Sequence, residues 1–371
     1  MPTPVIPDYR GPNISGVVPG ILLQPPGSRP GWFPDPLQDA RRTVLLLIDG
    51  LGWHQLRERS ELAPHLSAMT GGPILTVAPS TTASALTSLT TGAAPIEHGI
   101  VGYRMDMGRG EIMNSLRWHS GSRDLRPVHR PADVQPIPPF AGRRVPVVSR
   151  AELEGTGFTD SHLRGAIARG WRTVSGIAAQ VQALLAEGET FIYAYYDGVD
   201  KVAHEHGFGA FYDLELGFAD QLVGSLLSVM PPDTTLCVTA DHGQVEVGDR
   251  VVRLDPTVSE LVTHQTGEGR FRWLHCRPEV RPTLLAECSR LYGDIAWVVD
   301  RDRMLDEGWL GRLAGGSREQ DVVRRLGDVA IVPYEPVSFF DPLDSGPYEL
   351  VCRHGSLTEQ EMRVPLLAHT V

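Results

Sequence analysis

The sequence predicts an α/β protein with a doubly wound, mostly parallel central sheet, helices on both faces and a smaller inserted α+β subdomain. Three observations predict it. Residues 43–48, 190–196 and 234–239 are apolar runs without polar alternation, the mark of strands buried on both faces. Segments with helical spacing separate these runs, which implies crossover connections and parallel pairing. Each run also ends in acid: Asp49 after the first, Asp197 or Asp200 after the second, Asp241 after the third.

Taken in order, residues 1–42 are rich in proline and glycine and predict an irregular wrapping segment. The first buried strand, 43–48, is bounded by Asp49-Gly50. A helix carrying Leu56, Leu62 and Leu66 follows, then a short strand at 74–77. The stretch 79–100 begins Pro-Ser-Thr-Thr, continues through small helix-compatible residues and closes at Gly92. It predicts a strand-to-helix turn with Ser80, Thr81 and Thr82 at the helix start, where unpaired N–H groups and the helix dipole favour an anion. A hydroxyl there either caps the helix or attacks an electrophile. Residues 103–144 lose periodicity and predict a long surface excursion, with a strand possible at 145–148. Helical spacing returns between 161 and 187 and again over 211–230. Beyond Gly248 the texture changes, and 251–335 is read as an insertion of strand–helix–strand character with an extra helix and strand. The division expected is a catalytic core at 1–250, the inserted subdomain at 251–335, and a return to the core at 336–371.

The 371 residues are 42% hydrophobic and 21% charged, the composition of an ordinary globular protein. A formal net charge of −11 argues against a nucleic-acid duplex or an anionic membrane as general partner. Cys237, Cys276, Cys288 and Cys352 lack zinc-ribbon spacing and are read as free thiols in a reducing compartment. No basic, then apolar, leader opens the sequence and no window has the length of a membrane span, so a cytoplasmic location is expected. Oligomeric state is not legible.

Ligands of open α/β sheets bind at the carboxyl ends of the strands. Three carboxylates converging there would repel one another, and a bound cation is the simplest remedy. Asp200 and His204 lie one helical turn apart, and Asp241-His242 sits at a strand end. Oxygen and imidazole donors of this kind suit zinc or a similar first-row metal.

Ile48-Asp49-Gly50, Pro79-Ser80-Thr81-Thr82, Thr91-Gly92 with Glu97-His98-Gly99-Ile100, Asp200-xxx-His204-xx-Gly207, Ala240-Asp241-His242-Gly243 and His354-Gly355 before Val364-Pro365-Leu366 occur in that order. Together they resemble the alkaline phosphatase superfamily, most closely its type I phosphodiesterase/nucleotide pyrophosphatase branch. The resemblance implies an alkaline phosphatase-like fold and two Zn²⁺. It places the nucleophile on Thr82. Asp200, His204 and His354 would hold one zinc; Asp49, Asp241 and His242, with the Thr82 oxygen, would hold the other. It further implies a phosphodiesterase or nucleotide pyrophosphatase acting on a small phosphate ester, such as a nucleotide, through a phospho-threonine. The alternatives are a phosphomonoesterase or phosphonate hydrolase on the same scaffold, or a non-catalytic metal-stabilised binding protein. Three aspartates and an alkoxide against two Zn²⁺ leave a near-neutral site, which favours a singly charged diester. One departure stands out. The branch's phosphoryl-binding asparagine falls on Tyr103 here, and either Tyr103 or Asn114 is expected to replace it. Ser80 and Thr81 are then expected to cap the helix, and His98 to be structural.

Overall fold

The computed structural model describes residues 1–344 and 350–371. Its centre is a seven-stranded sheet in the order Thr70–Leu75, Arg363–Thr370, Thr235–Thr239, Thr43–Ile48, Phe191–Tyr196, Pro146–Arg150, Ile167–Trp171. All pairings are parallel except the two made by Arg363–Thr370, which is antiparallel to both neighbours. The Thr43–Ile48 strand is buried at every position, as its unbroken apolar run requires. Thr235–Thr239 and Phe191–Tyr196 flank it on either side, with Leu47 opposite Thr239 and Ile48 opposite Tyr196. This register sets the three acidic strand ends side by side, about 4.8 Å apart in the pairing direction.

Several elements differ from the sequence expectation. The strand expected at 74–77 is Thr70–Leu75, because antiparallel pairing with Arg363–Thr370 recruits Gly71, Gly72 and Pro73 into the sheet despite their poor strand propensity. The helix expected after the first strand is three short pieces, Trp53–Glu58, Ser60–Leu62 and Pro64–Ala68, with Pro64 opening the last. The helical span 161–187 divides into Gly157–His162, an edge strand Ile167–Trp171 and a helix Ser175–Ala186. That strand holds Arg169 and Gly170 and is only half buried, so it shows no apolar run. The 103–144 excursion contains a small antiparallel meander of four strands, Arg104–Asp106, Ile112–Asn114, His119–Ser120 and Arg123–Asp124. Within 1–42 the helix Val17–Leu23 is largely buried and packs against the Thr82–Thr91 helix.

A second sheet of four strands, in the order Val262–Glu268, Phe271–Cys276, Val329–Pro333, Ala296–Asp300, has its own core of Leu274, Leu284, Cys288, Val329 and Ile331 beneath the helix Arg281–Tyr292. The strand Val262–Glu268 escaped the sequence reading, since Thr263, His264, Gln265 and Gly267 hide it. At the base of this unit Val251–Val252 pairs with Ser338–Phe339. Of the expected return to the core at 336–371, residues 345–349 lie outside the described residues; the strand Arg363–Thr370 joins the central sheet. All four cysteines are free. Among the described residues no helix is long and apolar enough to cross a membrane.

Candidate active site

Asp49 follows the central strand, Asp241 and His242 follow Thr235–Thr239, and Asp200 and His204 lie on the helix Gly198–His206 that starts after Phe191–Tyr196. Gly50 has φ +72°, and a Cβ there would stand 2.9 Å from the Asp200 backbone. Glycine is therefore what lets the Asp49 loop and the Asp200 helix close on one another. The helix Thr82–Thr91 begins beside them and ends at Gly92 in the left-handed conformation.

Thr82 Oγ1 lies 3.0 Å from His242 Nε2. That nitrogen is 3.2 Å from Asp241 Oδ2 and 3.5 Å from Asp49 Oδ1. His204 Nε2 is 3.3 Å from Asp200 Oδ1. The rings of His242 and His354 stack at 3.6 Å. Two groups offer donor atoms within 4.8 Å of one another: Asp200, His204 and His354, and Asp49, Asp200 and His242. Asp200 thus stands between the two sets, with Asp241 alongside the second.

The hydrogen bonds outside the cluster settle the tautomers. His204 Nδ1 faces the Cys352 carbonyl at 2.7 Å, His242 Nδ1 the Gly243 carbonyl at 3.2 Å, and His354 Nδ1 the Ser80 carbonyl at 2.9 Å. A carbonyl only accepts, so each Nδ1 carries the hydrogen and each neutral ring keeps its Nε2 lone pair free. Asp49 Oδ1 and Asp241 Oδ2 are buried without a hydrogen-bond donor. Burial, then the Asp241 and Asp200 charges, push the Asp49 carboxyl well above its usual range, and burial raises Asp200 and Asp241 too. Burial also lowers His242, and drives His354 well below the ordinary imidazole value. Lone pairs facing carboxylates in a dry pocket are mutually repulsive. The donor set fits divalent cations, which remove that repulsion.

The sequence reading missed several supporting groups. Tyr195 donates its hydroxyl to Asp49 Oδ2, and Gln244 donates to Asp200 Oδ1 at 3.0 Å. Gln244 stands just past the Asp241-His242-Gly243 signal, and that proximity was its one mark in the sequence. Glu268, from the second sheet, reaches to 4.0 Å from His354 beside Thr81; nothing in the sequence announces it. Neither Ser80 nor Thr81 caps the helix through its side chain, contrary to expectation. Ser80 instead donates to the Ser356 carbonyl at 2.7 Å and accepts from the Gly355 N–H at 3.1 Å, tying the His354 loop to the helix start. The first-turn N–H groups are left for an anion.

A cavity of about 520 Å³ opens onto Thr82, Asp49 and Asp200. Its apolar wall includes Leu116, Leu153, Phe158 and Leu163, and its cations are Arg150 and Lys201, which share Asp197. Tyr103 and Asn114 do not line this cavity. Tyr103 lies beside Asn114, near Glu268 and Asp344. Trp118 is fully buried in the main hydrophobic core and donates to the His129 carbonyl. Arg123, Arg126 and Arg130 pair with Glu111, Asp124 and Asp133 on the surface. His98 is buried, bonding Ser88 Oγ and accepting from the Ile100 N–H, and His206 stacks on Phe211.

Comparison with curated proteins returned no match. Among solved structures, murine ectonucleotide pyrophosphatase/phosphodiesterase 5 superposes with a TM-score of 0.65 at 15% identity, covering 88% of each chain. Its inactive threonine-to-alanine variant in complex with AMP gives the same TM-score over 89% of this chain and 88% of that one. Phosphonoacetate hydrolase from Sinorhizobium meliloti 1021, in complex with phosphonoformate, gives 0.61 at 18% identity over 92% and 91%. These likenesses establish the fold. The family model of type I phosphodiesterase / nucleotide pyrophosphatase matches residues 43–357, and this chain belongs to that family of hydrolases.

Proposed function

We propose that the protein is a zinc-dependent hydrolase of phosphodiester or phosphoanhydride bonds in a small phosphate ester such as a nucleotide, acting through a phospho-threonine on Thr82. The carrying observation is the place of Thr82 Oγ1: at a helix start, 3.0 Å from His242 Nε2, and on the cavity wall. Asp200, His204 and His354 would hold one Zn²⁺, and Asp49, Asp241 and His242 the other. When bound, such a pair lowers the pKa of a coordinated hydroxyl and neutralises charge on the phosphoryl oxygens. Thr82 attacks phosphorus as its Oγ1–H proton passes to solvent water, and the ester oxygen leaves with its bonding pair and takes up a proton from water. Water then attacks phosphorus, the P–Oγ1 bond breaks, one water proton returns to Thr82 Oγ1 and the phosphate product is released. The first-turn N–H groups orient the phosphoryl oxygens, and the apolar wall shields the leaving group from solvent.

On the cavity wall Arg150 and Lys201 are balanced by Asp197 and Glu152, so no cation is left over for a second negative charge, which suits a singly charged diester. The AMP complex of the murine relative, made with an inactive threonine variant, supports both a threonine nucleophile and a nucleotide product. The phosphonoacetate hydrolase likeness favours phosphonate hydrolysis as the second reading. Tyr103 and Asn114 are retained as substrate contacts for the part of a ligand that extends past Thr81 toward Glu268. The division 1–250, 251–335 and 336–371 is supported by the separate core of the second sheet, and a cytoplasmic location by the free cysteines. Release of p-nitrophenol from bis-(p-nitrophenyl) phosphate and from p-nitrophenyl phosphate, and of inorganic phosphate from phosphonoacetate, with Thr82→Ala as control, tests the proposal. Zinc-dependent diester cleavage lost in Thr82→Ala is expected. Full rate in that variant, or no zinc-dependent turnover of any arm, overturns it.

A further inference from the structure

We infer that Asp106, His264 and His275 form a further divalent-cation site that fastens the small meander to the second sheet. It is independent of the proposed catalytic centre. His264 and His275 are direct cross-strand partners on Val262–Glu268 and Phe271–Cys276, and their rings stack at 4.0 Å. Asp106, ending the meander's first strand, brings Oδ2 to 2.9 Å from His264 Nε2 and 3.6 Å from His275 Nδ1. The three donor atoms lie within 4.8 Å of one another, the remaining such group among the described residues.

The surrounding hydrogen bonds make the case for a cation. The Thr263 hydroxyl donates its single hydrogen to the His275 carbonyl at 3.0 Å, so it accepts from His264 Nδ1 at 3.1 Å. His264 Nδ1 then carries a ring hydrogen, and its Nε2 faces the Asp106 carboxylate at 2.9 Å. These two atoms repel unless positive charge, a proton or a metal ion, lies between them. His275 aims a second nitrogen at the same oxygen, while its Nε2 is held by Thr266 Oγ1 at 2.8 Å. Protonating both stacked rings would set two like charges face to face. One cation bound by both rings and the carboxylate satisfies all three groups.

The outer partners also resemble those of metal ligands. Each ring's far nitrogen meets a threonine hydroxyl, and Asp106 Oδ1 accepts from the Gly108 N–H at 2.6 Å, which fixes the carboxylate. Two imidazoles and a carboxylate suit zinc, with water completing the set through the side that leaves His264 28% exposed. Such an ion joins 104–106 to 262–276. The same strand carries Glu268 to Thr81 and His354, so the fastening also steadies the insertion against the active-site turn.

The full-length protein and its His264→Gln and Asp106→Asn variants are dialysed to equilibrium against one zinc buffer, and zinc per chain is counted by atomic emission. Each folded variant is expected to hold one equivalent fewer than the parent, whatever total the catalytic cluster contributes. Asp106→Asn keeps the side chain's shape and remains informative if the histidine variant does not fold. Equal zinc in the parent and both variants overturns the site and assigns the contact to a protonated His264–Asp106 pair. Because the difference is read against any total, an empty catalytic cluster leaves this result unaffected.

Discussion

Two histidine–carboxylate clusters stand among the described residues, and they are assembled in opposite ways. The cluster at the sheet edge comes from the ends of adjacent parallel strands, whose register places Asp49 and Asp241 together almost unavoidably. The cluster of Asp106, His264 and His275 comes from a cross-strand pair meeting an unrelated meander. Both turn imidazole nitrogens toward carboxylates, so both call for positive charge. A cavity lies beside each, but only the first also has a hydroxyl at a helix start facing it. The lesson is that a ligand set by itself makes a binding site, whereas chemistry needs a nucleophile and room for a substrate.

That contrast can be broken most directly at Thr82. Thr82→Ala should lower diester turnover by about 10⁴-fold or more while zinc content stays close to the parent's, read by steady-state rates and metal counting. An acid quench should trap phosphate on the parent and none on the variant. Next in size is Gln244→Ala, which removes the donor to Asp200 and should cost about 10–100-fold in zinc affinity or rate, measured by chelator competition.

Histidines in neither cluster sharpen the comparison through pH. His98 and His162 are buried away from carboxylate partners, and burial lowers them to about 3 and about 4. The unfolded chain takes up protons on these rings below its own pKa near ~6.5 and the folded one does not. Their stabilising contribution is therefore complete above that value and is lost progressively as pH falls toward the folded values. Between pH 7 and 5 each should remove about 2 kcal/mol from the unfolding free energy. Guanidinium titrations of the parent and His98→Gln at the two pH values should show the smaller pH effect in the variant.

Arg150→Ala should raise KM for a diester about tenfold, with a smaller effect on kcat, since it removes a cavity cation and leaves Asp197 to Lys201 alone. The smallest effect is expected at the second cluster. His264→Gln should leave kcat within about twofold of the parent while losing part of the zinc-dependent gain in Tm, followed by calorimetry. A large loss of kcat there would erase the distinction between the two clusters.

Legibility followed the same divide. Asp49, Asp200, His204, Asp241 and His242 could be picked out because each lies at the end of a buried run or one helical turn from it. His354 needed the family pattern, since the two-residue strand Cys352–Arg353 before it is too short to register. Ile167–Trp171 and Val262–Glu268 were hidden because half-buried strands with polar and glycine residues carry no apolar run. Tyr103 came from counting along the chain alone; it lies outside the cavity lining, and its contact with a ligand is part of the proposal.

By itself, then, the sequence determined the parallel core, the strand-end aspartates and the hydroxyl-rich helix start, because these follow from local hydrophobic patterning and from spacing along one chain. Tertiary structure alone decided that Ser80 ties down the His354 loop rather than capping a helix, that Arg150 faces the cavity, that Glu268 reaches the active-site turn, and that Asp106 meets two histidines. Each of those contacts joins residues far apart in the chain, and their meeting depends on how separately folded sheets pack.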